Sequence, residues 1–342
     1  MNLKIKFHTK QFNPEELKNL YIPPPDSHKG MSGKLTIIGG SHLFHGASLW
    51  ALKIASRIVD MVFYSSVEEN NAIAQKLKEQ FFDCIVVPRE NVEEYIKQSD
   101  AVLIGPGLTR EDGKSQDEEP TRELTHRLLE KFPNKKWVID AGSLQTMDPE
   151  WLKQLHGNAI VTPHDKEFEN LFDIVIASTF DKLSVNSAKP GTIRYLAKQS
   201  QEILNQVRND KKEIASPTCL SSRRAPSLRS VRSRNDIVSR VAREYNCVIL
   251  FKGEKDVVCS PTECVEVAGG NAGMTKGGTG DVLAGLVAAL SCKNDVFLAA
   301  KAGSFINKKA GDNLFRKVGP YFNASDLCDE IPKVLKELII IQ

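Results

Sequence analysis

Apolar residues along this chain fall in short runs, and each run stops at glycine, aspartate, histidine or lysine. Lys34–Ile38 leads into Gly39-Gly40-Ser41, Ala101–Ile104 into Gly105-Pro106-Gly107, Trp137–Ile139 into Asp140, Ala159–Val161 into Thr162-Pro163-His164, and Val248–Phe251 into Lys252-Gly253. Runs this short and this continuously apolar read as strands buried on both faces. Helical spacing occupies the intervals, over Ala47–Val59, Glu69–Glu79, Thr121–Lys131 and Asp148–His156. The alternation predicts an α/β protein with a three-layer α/β/α architecture and a mostly parallel central sheet. In such sheets ligands bind outside the carboxyl ends of the strands, so the polar residues that end these runs are expected to converge.

The densest signal follows the last of those strands. Gly269-Gly270-Asn271-Ala272-Gly273-Met274-Thr275-Lys276-Gly277-Gly278-Thr279-Gly280-Asp281 is a glycine cluster that ends on a carboxylate. Val282, Leu283, Leu286, Val287 and Leu290 then recur at helical spacing, with Ala284, Gly285, Ala288 and Ala289 keeping a second face small. Asp281 is therefore expected at a helix N-terminus. The first N–H groups of a helix lack intrahelical partners, and glycines let such a backbone wrap a phosphate or an oxyanion. Gly277, Gly278 and Gly280 suit that task. Asp281 either caps the helix or serves as a base beside the anion. At the far end, Asp326 to Ile341 reads as a closing amphipathic helix with Pro332 near its start.

With 342 residues, 41% of them hydrophobic, the chain can bury a large core, and it is read as a single domain over residues 1–342. The segment 177–235 breaks the alternation. It holds one helical pattern, Ile193–Val207, and then a run from Ser216 to Arg234 with five arginines, six serines and no acid, the composition of a flexible basic insertion. A net charge of +3 is too small to argue for nucleic acid, and no apolar run is long enough to span a membrane. The seven cysteines are odd in number and form no Cys-x-x-Cys pair, which points to a cytoplasmic protein. Cys259 and Cys264 are expected to be ordinary thiols, since no second pair or histidine cluster completes a metal site.

Other loops carry weaker signals. Gly39-Gly40-Ser41 with Gly46-Ala47 lacks dinucleotide spacing and is either a ligand loop or a plain strand-to-helix turn, and Gly105-Pro106-Gly107 shares that ambiguity. His164 can donate to a substrate or be structural. Asp140 can orient magnesium or water, or cap the following helix. Lys252-Gly253 suits a nucleotide phosphate or a solvated strand end. No P-loop, nucleophile elbow or zinc helix is present.

Taken in order, these segments resemble the ADP/ATP-dependent NAD(P)H-hydrate dehydratases, a branch of the ribokinase-like superfamily. The resemblance runs through His28-Lys29-Gly30, Gly33–Ser41, Gly46-Ala47, Gly105–Leu108, Val138–Ala141, Thr162-Pro163-His164 with Glu167-Phe168, Lys252-Gly253, and Gly270–Gly285. It implies a ribokinase-like fold and the loss of water from hydrated nicotinamide cofactor, the S form of NADHX or NADPHX, driven by ADP or ATP with Mg2+. By the same resemblance Asp281 is the base, while Gly278, Thr279 and Gly280 form an anion hole. Ala47, Gly107, His164 and Asp281 meet the hydrate. Lys252, Gly253, Glu254, Lys255, Asp256 and Gly280 bind the nucleotide, with Asp140 and Asn271 as further candidates. Where the family has proline and glycine after the histidine, this chain has Asp165 and Lys166. An epimerase would be a separate protein, self-association is open, and neither nucleic acid nor membrane is implied. A small-molecule kinase of the hydroxyethylthiazole or hydroxymethylpyrimidine type and a non-catalytic nucleotide-binding module are the alternatives.

Overall fold

The structure is a computed structural model that describes residues 9–77, 83–110, 119–174 and 233–340. The described strands are β1 (Lys10–Gln11), β2 (Lys34–Ile38), β3 (Met61–Ser65), β4 (Ile85–Val86), β5 (Ala101–Ile104), β6 (Lys136–Ile139), β7 (Ala159–Val161), β8 (Val248–Phe251), β9 (Asp256–Cys259) and β10 (Cys264–Val267). They form one ten-stranded sheet in the order β1-β10-β9-β8-β7-β6-β5-β2-β3-β4. Every neighbouring pair is parallel except those of β9, which runs antiparallel to both β8 and β10. Four of the expected strands have the expected ends, and the fifth begins one residue earlier, at Lys136.

These runs are continuous because side chains alternate between two covered faces. Val138, Ile160 and Leu250 enter one core, while Trp137, Ile139, Val161, Ile249 and Phe251 enter the other. The first core is shared with α1 (Gly46–Ala55), α8 (Thr279–Ser291), α9 (Val296–Val318) and α10 (Ala324–Leu335). The second is shared with α3 (Val92–Gln98), α4 (Thr121–Lys131), α5 (Ala141–Thr146), α6 (Asp165–Phe172) and α7 (Arg234–Glu244). The remaining described α-helix, α2, is Glu68–Leu77. The small face foreseen after Asp281 lets α8 pack closely on α1, where a Cβ on Gly285 would lie 2.7 Å from the Ala51 backbone.

β2 lies between β3 and β5, so the chain runs outward to β4 and then returns to the other side of β2. This is a topological switch, and a crevice opens at its carboxyl edge. The Gly39-Gly40 loop and the Gly105-Pro106-Gly107 loop pack together at its rim, joined by the Gly40 N–H donating to the Pro106 carbonyl at 2.7 Å.

Several expectations are corrected. Cys259 and Cys264 are not ordinary thiols but are joined in a disulfide. The β9–β10 hairpin pairs the two residues directly across the ladder, a register invisible in their sequence spacing alone. Cys247, Cys292 and Cys328 are buried free thiols, and Cys84 is buried as well. Pro332 lies in the last turn of α10, not near its start, because Asn323 and Asp326 form a reciprocal cap that starts the helix at Ala324. The segment expected as a helix over Asp148–His156 is a 3-10 helix, Pro149–Leu155, closed by left-handed His156. α1 stops at Ala55, short of Val59. The Ile193–Val207 helix lies outside the described residues, as does the basic run except Ser233 and Arg234, which begin α7 through a Ser233–Asp236 capping box. Among the described residues, no helix is long and apolar enough to cross a membrane.

Candidate active site

Four ionisable side chains from four different strand ends or helix starts meet at the carboxyl edge of the sheet. Asp140 follows β6, Glu167 sits in the first turn of α6, Lys252 follows β8, and Asp281 occupies the first turn of α8. The Lys252 ammonium lies 3.0 Å from Asp140 Oδ1 and 3.8 Å from Glu167 Oε2. Thr162 Oγ1 donates to the same Asp140 oxygen at 2.7 Å, and Gln145 donates to Glu167 Oε1 at 3.0 Å. The two carboxylates are buried, and Lys252 is mostly so. Burial opposes the lysine's charge, but Asp140 and Glu167, with Asp281, outweigh it and raise its pKa.

Asp281 is pushed up to about 7, first by burial and next by the Asp140 carboxylate, with Lys252 acting in the opposite sense. A carboxyl held near neutrality exchanges protons readily at working pH. The helix-capping alternative for Asp281 does not hold. α8 starts at Thr279 with left-handed Gly278 as its N-cap and no side-chain cap hydrogen bond, which leaves Asp281 two residues further in. Asp140 likewise precedes α5 without capping it.

The glycine loop is shaped for an anion. Gly278 has φ of 94°, and a Cβ there would lie 2.6 Å from the Trp50 ring, so only hydrogen fits. Among the described residues the N–H groups of Gly278 and Gly280 have no protein partner. The Thr279 N–H differs, since it points at the Lys276 carbonyl at 3.4 Å, while its hydroxyl donates to the carbonyls of Met274 and Lys276.

A cavity of about 670 Å³ opens beside this loop, bounded by Lys252, Gly253, Glu254, Asp256, Asn271 and Gly280, among others. Lys255 is exposed and does not border it; its carbonyl accepts from Arg234 at 3.0 Å. The Asp256 carboxylate is occupied internally, accepting from the Gly253 N–H at 2.9 Å and the Ser304 hydroxyl at 2.7 Å and pairing with Lys308 at 3.2 Å. Asn271 accepts from the Gly273 N–H and donates to Asp312, both at 3.0 Å. These two residues hold the loops in shape.

His164 borders the same cavity. It caps α6, with Nδ1 accepting from the Glu167 N–H at 3.4 Å while Glu167 Oε2 accepts from the His164 N–H at 3.0 Å. Ala47 and Gly107 meet across the crevice, a Cβ on Gly107 falling 3.1 Å from that of Ala47. A second cavity, of about 810 Å³, opens beyond Leu108 and is bordered by His42, Ser66 and Arg89.

Sequence reasoning passed over Glu167 as a member of the charged cluster, although His164-x-x-Glu167 has capping-box spacing. It also missed Lys308, whose buried ammonium donates to the carbonyls of Gly253, Glu254 and Gly269 and thereby ties both cavity loops to α9. Nothing in the Lys308-Lys309 pair separates that lysine from a solvated one.

A mostly parallel sheet with a glycine loop, a helix start and a carboxylate at its carboxyl edge gives the protein the ribokinase-like fold class, which solved structures share. Within that class, residues 35–220 and 221–333 match the NAD(P)H-hydrate dehydratase family, and the chain belongs to it. It is 30% identical over 329 residues to the bifunctional NAD(P)H-hydrate repair enzyme Nnr of Methanocaldococcus jannaschii, an alignment covering 94% of this chain and 52% of that protein. It is 27% identical over 324 residues to the ADP-dependent (S)-NAD(P)H-hydrate dehydratase of Cenarchaeum symbiosum, covering 91% of each. The ADP/ATP-dependent NAD(P)H-hydrate dehydratase of Bacillus subtilis, co-crystallised with ATP and Mg2+, superposes with a TM-score of 0.66 at 18% identity, over 96% of this chain and 99% of that one. The chain spans about half the length of the bifunctional relatives it matches.

Proposed function

We propose that this chain dehydrates hydrated nicotinamide dinucleotide, the S form of NADHX or NADPHX, to NADH or NADPH, with ADP or ATP as phosphoryl donor. The observation that carries the proposal is Asp281, a half-buried carboxyl held near neutrality beside glycine N–H groups that have no partner among the described residues. Family membership supplies the substrate.

In this reaction the Asp281 carboxylate takes the proton of the ring hydroxyl, whose oxygen attacks the terminal phosphoryl group. The Gly278 and Gly280 N–H groups face the charge that builds on that group, so positioning and electrostatics do the catalysis. Phosphate then leaves with the former hydroxyl oxygen as an adjacent ring proton departs, and the ring double bond is restored. The products are the reduced dinucleotide, inorganic phosphate, and ADP or AMP. Lys252, held between Asp140 and Glu167, offers its charge to the donor's phosphates. The 670 Å³ cavity has room for the nucleotide, and Ala47, Gly107 and His164 are the contacts proposed for the hydrated ring.

Among the described residues no three His, Cys, Asp or Glu side chains converge into a metal cage. Asp140 and Glu167 are the carboxylates that would face a Mg2+ ion brought in with the nucleotide. Bound in that way, Mg2+ would neutralise charge on the transferring group. The cytoplasm, which holds the cofactor pool, is the proposed compartment.

The test is to incubate the purified protein with NADHX, Mg2+ and ADP or ATP and to follow the absorbance of regenerated NADH. NADH should appear only with nucleotide. Persistence of NADHX while nucleotide is consumed on another alcohol would instead make the protein a kinase.

A further inference from the structure

One buried polar side chain in the cavity wall is left unmatched. Asn307, on α9, is 4% exposed and borders the 670 Å³ cavity. Its Oδ1 is fully buried and has no hydrogen-bond partner among the described residues. Two polar neighbours on α9 are engaged. Ser304 donates to Asp256, and Lys308 donates to the carbonyls of Gly253, Glu254 and Gly269. A buried amide oxygen without a partner costs stability, and an apolar side chain of the same size would avoid the cost.

The helix stripe explains where the amide faces. Gly303 packs on Val287 of α8, and Gly311 packs on Met274 of the glycine loop. Asn307 lies one turn from each, on the same side of α9. Leu283 and Met274 border the cavity with it and supply an apolar surface for a planar ring. Lys252 and Gly280, which face the phosphates in the proposed reaction, lie in the same cavity wall.

We infer that Asn307 reads the adenine base of the nucleotide, an inference that rests on the proposed nucleotide site. An asparagine amide offers one acceptor and one donor side by side. Adenine presents the complement on either edge, its N6 amino donor next to the N1 or N7 acceptor. On nucleotide binding the Asn307 amide turns about χ2, so that Oδ1 accepts from N6–H while Nδ2 donates to the ring nitrogen. The base satisfies both amide groups at once and is selected over purines that lack the amino group.

Direct binding measurements with ADP and with purine riboside 5′-diphosphate, which differs from ADP only in lacking the 6-amino group, test this. The parent protein should bind ADP roughly five to thirty times more tightly, the value of one buried hydrogen bond. Asn307→Leu should bring that ratio within about twofold and weaken ADP about tenfold, while melting without nucleotide no lower than the parent. Asn307→Asp keeps an acceptor for N6–H and loses the donor, so both nucleotides should weaken while ADP stays preferred. A ratio unchanged in Asn307→Leu, or no preference in the parent, would overturn the role of Asn307 while leaving the nucleotide site standing. Failure of the parent to bind either nucleotide would remove the site itself, and the inference with it.

Discussion

At the residue scale the chemistry rests on how burial and neighbouring charges set one carboxyl. Asp281 sits near pH 7 because burial and Asp140 disfavour its ionised form more than Lys252 favours it. Acting as a base it must be ionised, so turnover should rise about tenfold per pH unit below 7 and level off above. Asp281→Asn should lose at least about a hundredfold in turnover while keeping the fold, as seen by circular dichroism; near-normal NADH production would remove Asp281 from its role. The stability effect has the opposite sign to that of a paired carboxylate. The folded pKa lies above the unfolded value of 3.8, so the native state holds the extra proton between these limits and stability falls as pH rises from about 4 to about 7. The amide of Asp281→Asn does not titrate in this range, so urea denaturation should show that variant gaining on the parent across the window. Lys252→Met removes the charge that holds Asp281 down and leaves Asp140 and Glu167 buried without their cation. The acid limb of its pH profile should move to higher pH, with a stability loss on the order of 3 kcal/mol in urea.

At the element scale, strand ends and helix starts bring these residues into range. The loop after β5 must pass directly over the end of β6. A Cβ on Gly105, with φ of 122°, would fall 1.8 Å from the Asp140 carbonyl oxygen. Gly105→Ala should therefore displace the backbone that carries Asp140, costing about 3 kcal/mol or more and lowering turnover together with the melting temperature. An alanine variant with parental stability would mean that the two loops are not so tightly apposed. The β9–β10 hairpin carries Asp256 at one end and the Cys259–Cys264 disulfide at the other. The short loop that the bond closes gives about 2 kcal/mol by the chain-entropy relation. Replacing both cysteines with serine should lower stability by roughly that amount in chemical denaturation, with loss of the reductant sensitivity of the parent.

At the scale of the whole molecule, the sheet order explains why loops remote in sequence share one crevice. Apolar runs were legible as strands because both faces of the sheet are covered, which removes polar alternation and leaves uninterrupted valine, isoleucine and leucine. β3, β4 and the β9–β10 hairpin were not singled out from the sequence. Met61–Ser65 mixes aromatic and polar residues, Ile85–Val86 is two residues long, and β9 and β10 are marked by a cross-strand register that spacing does not display. The Asp326–Ile341 helix was recognised with its proline misplaced, since the Asn323–Asp326 cap outranked the usual association of proline with a helix start.

The linear order of residues determined the architecture and the carboxyl proposed as the base. Burial dictates continuous apolar strands, and a glycine cluster running into a small-faced helix can be read without knowing what lies beside it. Tertiary structure alone decided the charges and the partners. Glu167 joins Lys252 only because β7 and β8 are neighbours, and Lys308 reaches the cavity loops only because α9 packs beneath them. The raised pKa of Asp281 and the unmatched amide of Asn307 likewise depend on distance and solvent exclusion, which are properties of packing in three dimensions.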